Sequence, residues 1–304
     1  MRRTVGIENG IYENGDAPAL MIVGHGSRDP RGVREFHDLV GLVRRRIPSL
    51  MVEGGFIELS SPPISECVDR LAEGGVSNVA AVPLMLLAAG HAKDDIPATL
   101  VREKMGHPRM TFAYGRALGI RPELLELMEE RTSAVVNGKE KEETAVLVVG
   151  RGSSDPDANS DLSKIARLFY EGRPYPVVES AYVSMTPPDV EEGLDRCFKL
   201  GAKRIVVFSY FLFTGILEER IREQCRAFAA ATRPGIVAPA ASRLSAGWSR
   251  RYRRSGCRCS MRCRPPMAPC SRPSGSSSGS GWSGRSSSAS SPFAGARSPG
   301  TVPG

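Results

Sequence analysis

The feature that most constrains this 304-residue chain is that it repeats itself, at an offset of 125 or 126 residues. Ile22-Val-Gly-His-Gly-Ser-Arg-Asp-Pro30 faces Val148-Val-Gly-Arg-Gly-Ser-Ser-Asp-Pro156. Ser61-Pro62-Pro63 faces Thr186-Pro187-Pro188, and Asn78-Val-Ala-Ala-Val faces Arg204-Ile-Val-Val-Phe. The loop Leu86-Leu-Ala-Ala-Gly90 faces Leu212-Phe-Thr-Gly215, one residue shorter. A gene duplication explains this many matches in one order, and the length allows each copy a core of its own.

Within the first copy, short apolar runs alternate with amphipathic segments, the pattern of strands feeding helices in an α/β unit. Strands are expected at residues 19–23, 51–58, 79–84 and 109–114, and helices at 32–46, 64–73, 92–105 and 121–135. A polar stretch at 137–144 then breaks the periodicity. The fold expected is α/β, with two tandem, similar, doubly wound parallel-sheet domains. Residues 1–17 form an N-terminal extension, 18–136 the first domain, 137–144 a linker, 145–236 a second and incomplete domain, and 237–304 a tail.

The second copy loses its pattern after Gly235, where Arg, Ser, Pro, Gly, Ala and Cys take over. Such a segment is too poor in aliphatic residues to bury a core and is expected to be disordered. We read it as out-of-frame translation of a GC-rich gene, which an open frame encoding a strand and a helix would bear out. Charge follows the same division: from Ala241 onward there are 11 Arg and no Lys, Asp or Glu, which leaves 30 basic against 33 acidic groups in the rest. The overall +8 therefore does not describe a basic groove, and no nucleic-acid partner is expected. Cys257, Cys259, Cys263 and Cys270 lack the CxxC spacing that clamps a metal. Cys67, Cys197 and Cys225 read as buried apolar residues of a reducing compartment. No run of about 18 apolar residues and no export signal is present, so a cytoplasmic location without membrane contact is expected.

In an open α/β sheet the ligand sits beyond the carboxyl ends of the strands. His25 follows the first strand, Glu58 closes the second, and His91 follows the third, so all three can project into one site. Two imidazoles and a carboxylate suit Co²⁺, Fe²⁺, Ni²⁺ or Zn²⁺ and leave positions open for exchange. An enzyme that inserts a metal into a macrocycle needs that incompleteness, and it needs bases for two pyrrole protons. At the matched positions of the second copy stand Arg151, Val183 and Ile216, so one copy keeps the chemistry and the other the shape. Arg151 would suit a substrate carboxylate. His37 and His107 read as structural. Gly24-x-Gly26 and Gly150-x-Gly152 do not continue into a nucleotide-binding motif, and Ser27 lacks a nucleophile elbow.

From about Ala19 to Ala231 the chain resembles the long form of the CbiX class of sirohydrochlorin cobaltochelatases, relatives of sirohydrochlorin ferrochelatase. The marks are Val23-Gly-His-Gly-Ser-Arg-Asp-Pro30, Phe56-Ile-Glu-Leu-Ser-Ser-Pro-Pro63, Pro83-Leu-Met-Leu-Leu-Ala-Ala-Gly-His-Ala-Lys-Asp-Asp-Ile-Pro97 and Gly150-Arg-Gly-Ser-Ser-Asp-Pro156. The resemblance implies two α/β domains facing a central cleft, with His25, Glu58 and His91 as metal and catalytic residues. It implies ATP-independent insertion of Co²⁺ into sirohydrochlorin on the route to cobalamin, the metal being a substrate and no cofactor being permanently bound. Ser27, Arg28, Lys93 and Arg151 are the candidates for the macrocycle's carboxylates. Alternatives are iron insertion for sirohaem, or a noncatalytic tetrapyrrole or metal carrier.

Overall fold

The computed structural model describes residues 18–136, 138–232 and 236–241. All of the expected tail beyond Ala241 and the N-terminal extension before Pro18 lie outside the described residues, as do the four cysteines from Cys257 to Cys270.

Each copy forms a four-stranded, all-parallel sheet. In the first, β1 (Ala19–Gly24), β2 (Met51–Phe56), β3 (Asn78–Pro83) and β4 (Thr111–Tyr114) lie in the order β2-β1-β3-β4. In the second, β5 (Thr144–Gly150), β6 (Val177–Tyr182), β7 (Arg204–Ser209) and β8 (Val237–Ala241) repeat that order as β6-β5-β7-β8. The central strand of each sheet is apolar on both sides because helices cover both faces.

The helices are α1 (Pro30–Arg46), α2 (Ile64–Glu73), α3 (Ile96–Gly106), α4 (Pro122–Ser133), α5 (Pro156–Tyr170), α6 (Val190–Lys199) and α7 (Ile216–Ala231). Two of them begin on the repeated Asp-Pro. Asp29 caps α1 by accepting from the Arg31 N–H, and Asp155 caps α5 from the Asp157 N–H, with Pro30 and Pro156 at the first helical position. On one face of the first sheet, Met21, Val23, Ala81 and Val79 pack on Val68 and Leu71 of α2 and Ile96 and Leu100 at α3. On the other face, Ile22, Val52 and Phe56 pack on Phe36 and Val40 of α1. The second sheet is layered alike, with Leu147, Val149 and Val207 under α6 and α7. Cys67, Cys197 and Cys225 are buried free thiols, and burial pushes them up to about 11, 12 and 11.

Three boundaries differ from those read in the sequence. Thr144 is fully buried and opens β5, so the linker is a 3₁₀ helix, Gly138–Glu143, that ends one residue sooner. Val237–Ala241 is not tail but β8, the fourth strand of the second sheet. Its Pro239 has no N–H to donate, and the pairing with β7 slips between Val206 and Phe208 at that point, which an edge strand tolerates. Finally, α4 does not close its own unit. Met128 and Val136 are fully buried in the core of the second copy, with Val146, Val148, Phe169 and Phe208. The helix lies against α5 and β7.

The two copies therefore share an interface. Leu84, Leu86 and Leu87 pack on the second copy's core, and Phe213 packs edge-on against Phe36 of the first at 6.1 Å between ring centres. Glu35 of α1 accepts hydrogen bonds from the Thr214 N–H at 2.8 Å and its hydroxyl at 2.7 Å.

Candidate metal centre

His25 and Glu58 are brought together by backbone. Beyond the sheet, the Ile57 N–H donates to the Gly24 carbonyl and the Glu58 N–H to the His25 carbonyl, so the two segments run on side by side for two more residues. The turn between His25 and Ser27 needs Gly26, which sits at φ +102 with the Glu58 carbonyl so near that a Cβ would stand 1.8 Å from its oxygen. Ser60 clamps the far side, its hydroxyl donating to the Ser27 carbonyl and accepting from the Ser27 N–H.

His91 arrives differently. It opens a single π turn, His91–Asp95, in which the Ile96 N–H reaches back five residues to the His91 carbonyl before α3 begins. Such turns add one residue to a helix and recur at functional sites. The second copy has a loop one residue shorter and no such turn, since α7 starts directly at Ile216. The turn also sets Asp95 four residues from His91, and its Oδ2 lies 2.7 Å from His91 Nδ1. A carboxylate on one ring nitrogen fixes the ring and leaves Nε2 as the ligand atom. Asp95 is not among the residues singled out from the sequence, although an i,i+4 His/Asp pair at a helix start is a visible signal.

The three side chains converge. One ligand atom from each of His25, Glu58 and His91 lies within 4.8 Å of the others. Glu58 Oε1 is 3.2 Å from His25 Nε2 and 3.8 Å from His91 Nε2, and the two imidazoles meet edge-on at 4.6 Å between ring centres. Nε2 of His25 is buried and makes no hydrogen bond. Desolvation, then the neighbouring His91, holds His25 below its ordinary value of 6.5, with Glu58 opposing and Arg151 adding to the fall. The imidazole is thus kept neutral, the form that binds a metal. A divalent cation among these atoms satisfies the lone pairs of both rings and the carboxylate together.

The other residues singled out in the sequence divide. Arg151 stands in the second copy close enough for its charge to act on His25, and Arg28 is exposed on the loop after β1. Ser27 Oγ accepts from the Asp29 N–H and keeps its own proton to donate. Lys93 does not point to open cleft: its ammonium lies 2.6 Å from Asp155 and 3.0 Å from Asp157. His37 stacks edge-on against Phe36 and Phe56, and His107 pairs with Asp69 at 3.1 Å, and neither joins the cluster of His25, Glu58 and His91.

The match of Glu58 to Val183 is corrected by the structure. Val183 donates to Gly150 as Ile57 does to Gly24, and Ser184 donates to Arg151 as Glu58 does to His25, so the counterpart of Glu58 is Ser184. Gly152, at φ +87, approaches the Ser184 carbonyl as Gly26 approaches that of Glu58, and Leu59 and Met185 follow with φ 63 and 70. The spacing of 126 holds to the start of α6. The adjacent prolines had drawn the alignment one residue short.

The CbiX family profile matches residues 19–135 and 145–245. A sirohydrochlorin cobaltochelatase of Priestia megaterium is 43% identical over 213 residues, 69% of this chain and 69% of the relative. A sirohydrochlorin ferrochelatase of the same organism is 34% identical over 206 residues, covering 68% of this chain and 77% of its own length. Among solved structures, SirB from Bacillus subtilis with Fe³⁺ superposes with a TM-score of 0.67 at 29% identity, over 75% of this chain and 88% of SirB. The sirohydrochlorin chelatase SirB from Bacillus subtilis subspecies spizizenii, in complex with cobalt, gives 0.63 at 28% identity over the same shares.

Proposed function

The chain belongs to the CbiX family, and from that premise we propose that it inserts Co²⁺ into sirohydrochlorin without ATP, as a cytoplasmic step toward cobalamin. The observation that carries this reading is the convergence of His25, Glu58 and His91 at the carboxyl edge of the first sheet, with no second such cluster among the described residues. The metal is a substrate held by His25 Nε2, His91 Nε2 and a Glu58 oxygen. Three protein ligands leave room for the pyrrole nitrogens to enter before the protein lets go.

As the metal passes to the macrocycle, two N–H bonds break and two protons need acceptors. The freed imidazole of His25 takes one. Glu58, at the exposed mouth of the site, takes the other and releases it to water. Arg28, Arg151 and the Ser27 hydroxyl are placed around the loops that hold the ligands, and we assign them to the carboxylates of the substrate. Iron is the second reading: a ferrochelatase is among the relatives, and the same donor set accepts Fe²⁺.

The test is metal insertion followed by absorbance, with anaerobic sirohydrochlorin and either Co²⁺ or Fe²⁺, comparing the chain with a His25→Ala, His91→Ala double variant. Multiple turnovers that the double variant loses support the chelatase, and the faster metal names the pathway. A folded chain that binds metal and tetrapyrrole yet never turns over would be a carrier instead.

A further inference from the structure

We propose that Lys93 is a positioning residue, which anchors the π turn carrying His91 to the second copy through Asp155 and Asp157. The inference rests on the reading that His91 is a metal ligand. Lys93 lies two residues after His91 in that turn, and its ammonium reaches across to Asp155 at 2.6 Å and Asp157 at 3.0 Å. At its start the Ala92 and Lys93 N–H groups donate to the Ala89 carbonyl at 2.8 and 2.9 Å, a local tie that fixes the turn to its own loop and not to the second copy. Gly90 precedes it with open space around the Cα, and no side chain caps it. Within its own copy it is held by the buried Ala92, whose carbonyl accepts from the Tyr114 hydroxyl at 2.8 Å, and by the buried Ile96.

The anchor on the far side is itself fixed. One oxygen of Asp155 caps α5 through the Asp157 N–H, while the other meets Lys93. The mirror-image contact has its charges exchanged and is looser: Arg31 of the first copy meets Glu219 of the second at 3.9 Å. The tighter ionic contact thus stands on the arm of the interface that carries a metal ligand. A partly exposed ion pair contributes little to stability, but a pair of fixed ends restricts where the residues beside it can sit. Through it, the second copy, where no ligand cluster gathers among the described residues, sets the position of a ligand in the first.

The test uses Co²⁺ alone, titrated into the full-length chain and followed by its visible ligand-field bands. Lys93→Met and Asp157→Asn are each expected to weaken Co²⁺ binding about three- to tenfold, between the worth of a surface ion pair and that of an outer partner of a metal ligand. Lys93→Arg is expected to restore it. Asp157 is exposed and lies in the other copy, so its variant keeps the test decisive if Lys93→Met fails to fold. Unchanged Co²⁺ affinity in both variants overturns the proposal. Unchanged affinity with a raised KM for sirohydrochlorin in Lys93→Met also overturns it and makes Lys93 a substrate contact. Weakened Co²⁺ binding in a chain that never inserts metal supports the anchor while refuting the chelatase.

Discussion

Gly26 and Gly152 form a matched pair on which the division of labour between the copies can be tested. At Gly26, with φ +102, an alanine Cβ would stand 1.8 Å from the Glu58 carbonyl oxygen, where contacts under 3.0 Å essentially do not occur. The segment carrying Glu58 must retreat by about 1.2 Å. The left-handed backbone alone costs an L-residue about 1–2 kcal/mol, and the displaced backbone adds a similar amount. A total of about 3 kcal/mol corresponds to a fall in Tm of roughly 6–12 °C for a body of this size. Gly152→Ala meets the Ser184 carbonyl at 1.9 Å with φ +87, so it should lose the same stability. The variants should separate in function. A displacement of about 1 Å between ligands is worth on the order of 100-fold, so Gly26→Ala should bind Co²⁺ and insert it about two decades worse. Gly152→Ala should keep its Co²⁺ affinity within a few-fold of the parent below its melting point, whatever the displaced Arg151 turn does to the substrate. Thermal melts, Co²⁺ titration and insertion rates measure all three quantities. If Gly152→Ala loses metal binding as far as Gly26→Ala does, or if Gly26→Ala keeps it, the coupling of the Gly26 turn to Glu58 is wrong.

Other perturbations follow from the same geometry. Asp95→Asn leaves His91 without its carboxylate and should weaken Co²⁺ binding about tenfold in a titration, with little change in Tm. Because burial and His91 hold His25 below 6.5, the unfolded chain binds more protons than the folded one in the window beneath 6.5. Stability of the metal-free chain should therefore fall as pH drops through that window, and melts in chelator should show a shallower fall in His25→Asn. Val183 is 3% exposed in the second core, so Val183→Glu should cost about 3 kcal/mol or more, whereas Ser184→Glu should be nearly neutral by denaturant melts; the reverse order would restore the shorter alignment.

The convergence of His25, Glu58 and His91 was legible because each is a polar residue at the end of an apolar run, and two of them are among only four histidines. What the sequence could not supply was depth and register. The Pro-Pro dipeptides align at 125 by identity, yet the hydrogen bonds of Val183 and Ser184 place the copies at 126, because backbone pairing and not side-chain likeness sets the strand ends. The π turn left no trace beyond one extra residue in a loop. Strand β8 was hidden because Val237-Ala-Pro-Ala-Ala241 holds small residues and a proline, a composition that an edge strand accepts and that reads as a loop. Lys93 reads as a candidate for a substrate carboxylate because its protein partners lie 62 and 64 residues away in the other copy.

Helix α4 is encoded by the first copy and completes the core of the second. The duplication is therefore not a string of two beads: the first copy lends its last helix to the second, as one chain lends a terminal element to another in a domain swap. Severing the gene at 137 would give one fragment with an oily helix and no sheet to lay it on, and another with a sheet stripped on one side. A lineage that fused its copies in this way cannot easily divide them again. The second copy thus serves the first twice, as the seat of its closing helix and as the ion-pair partner of Lys93.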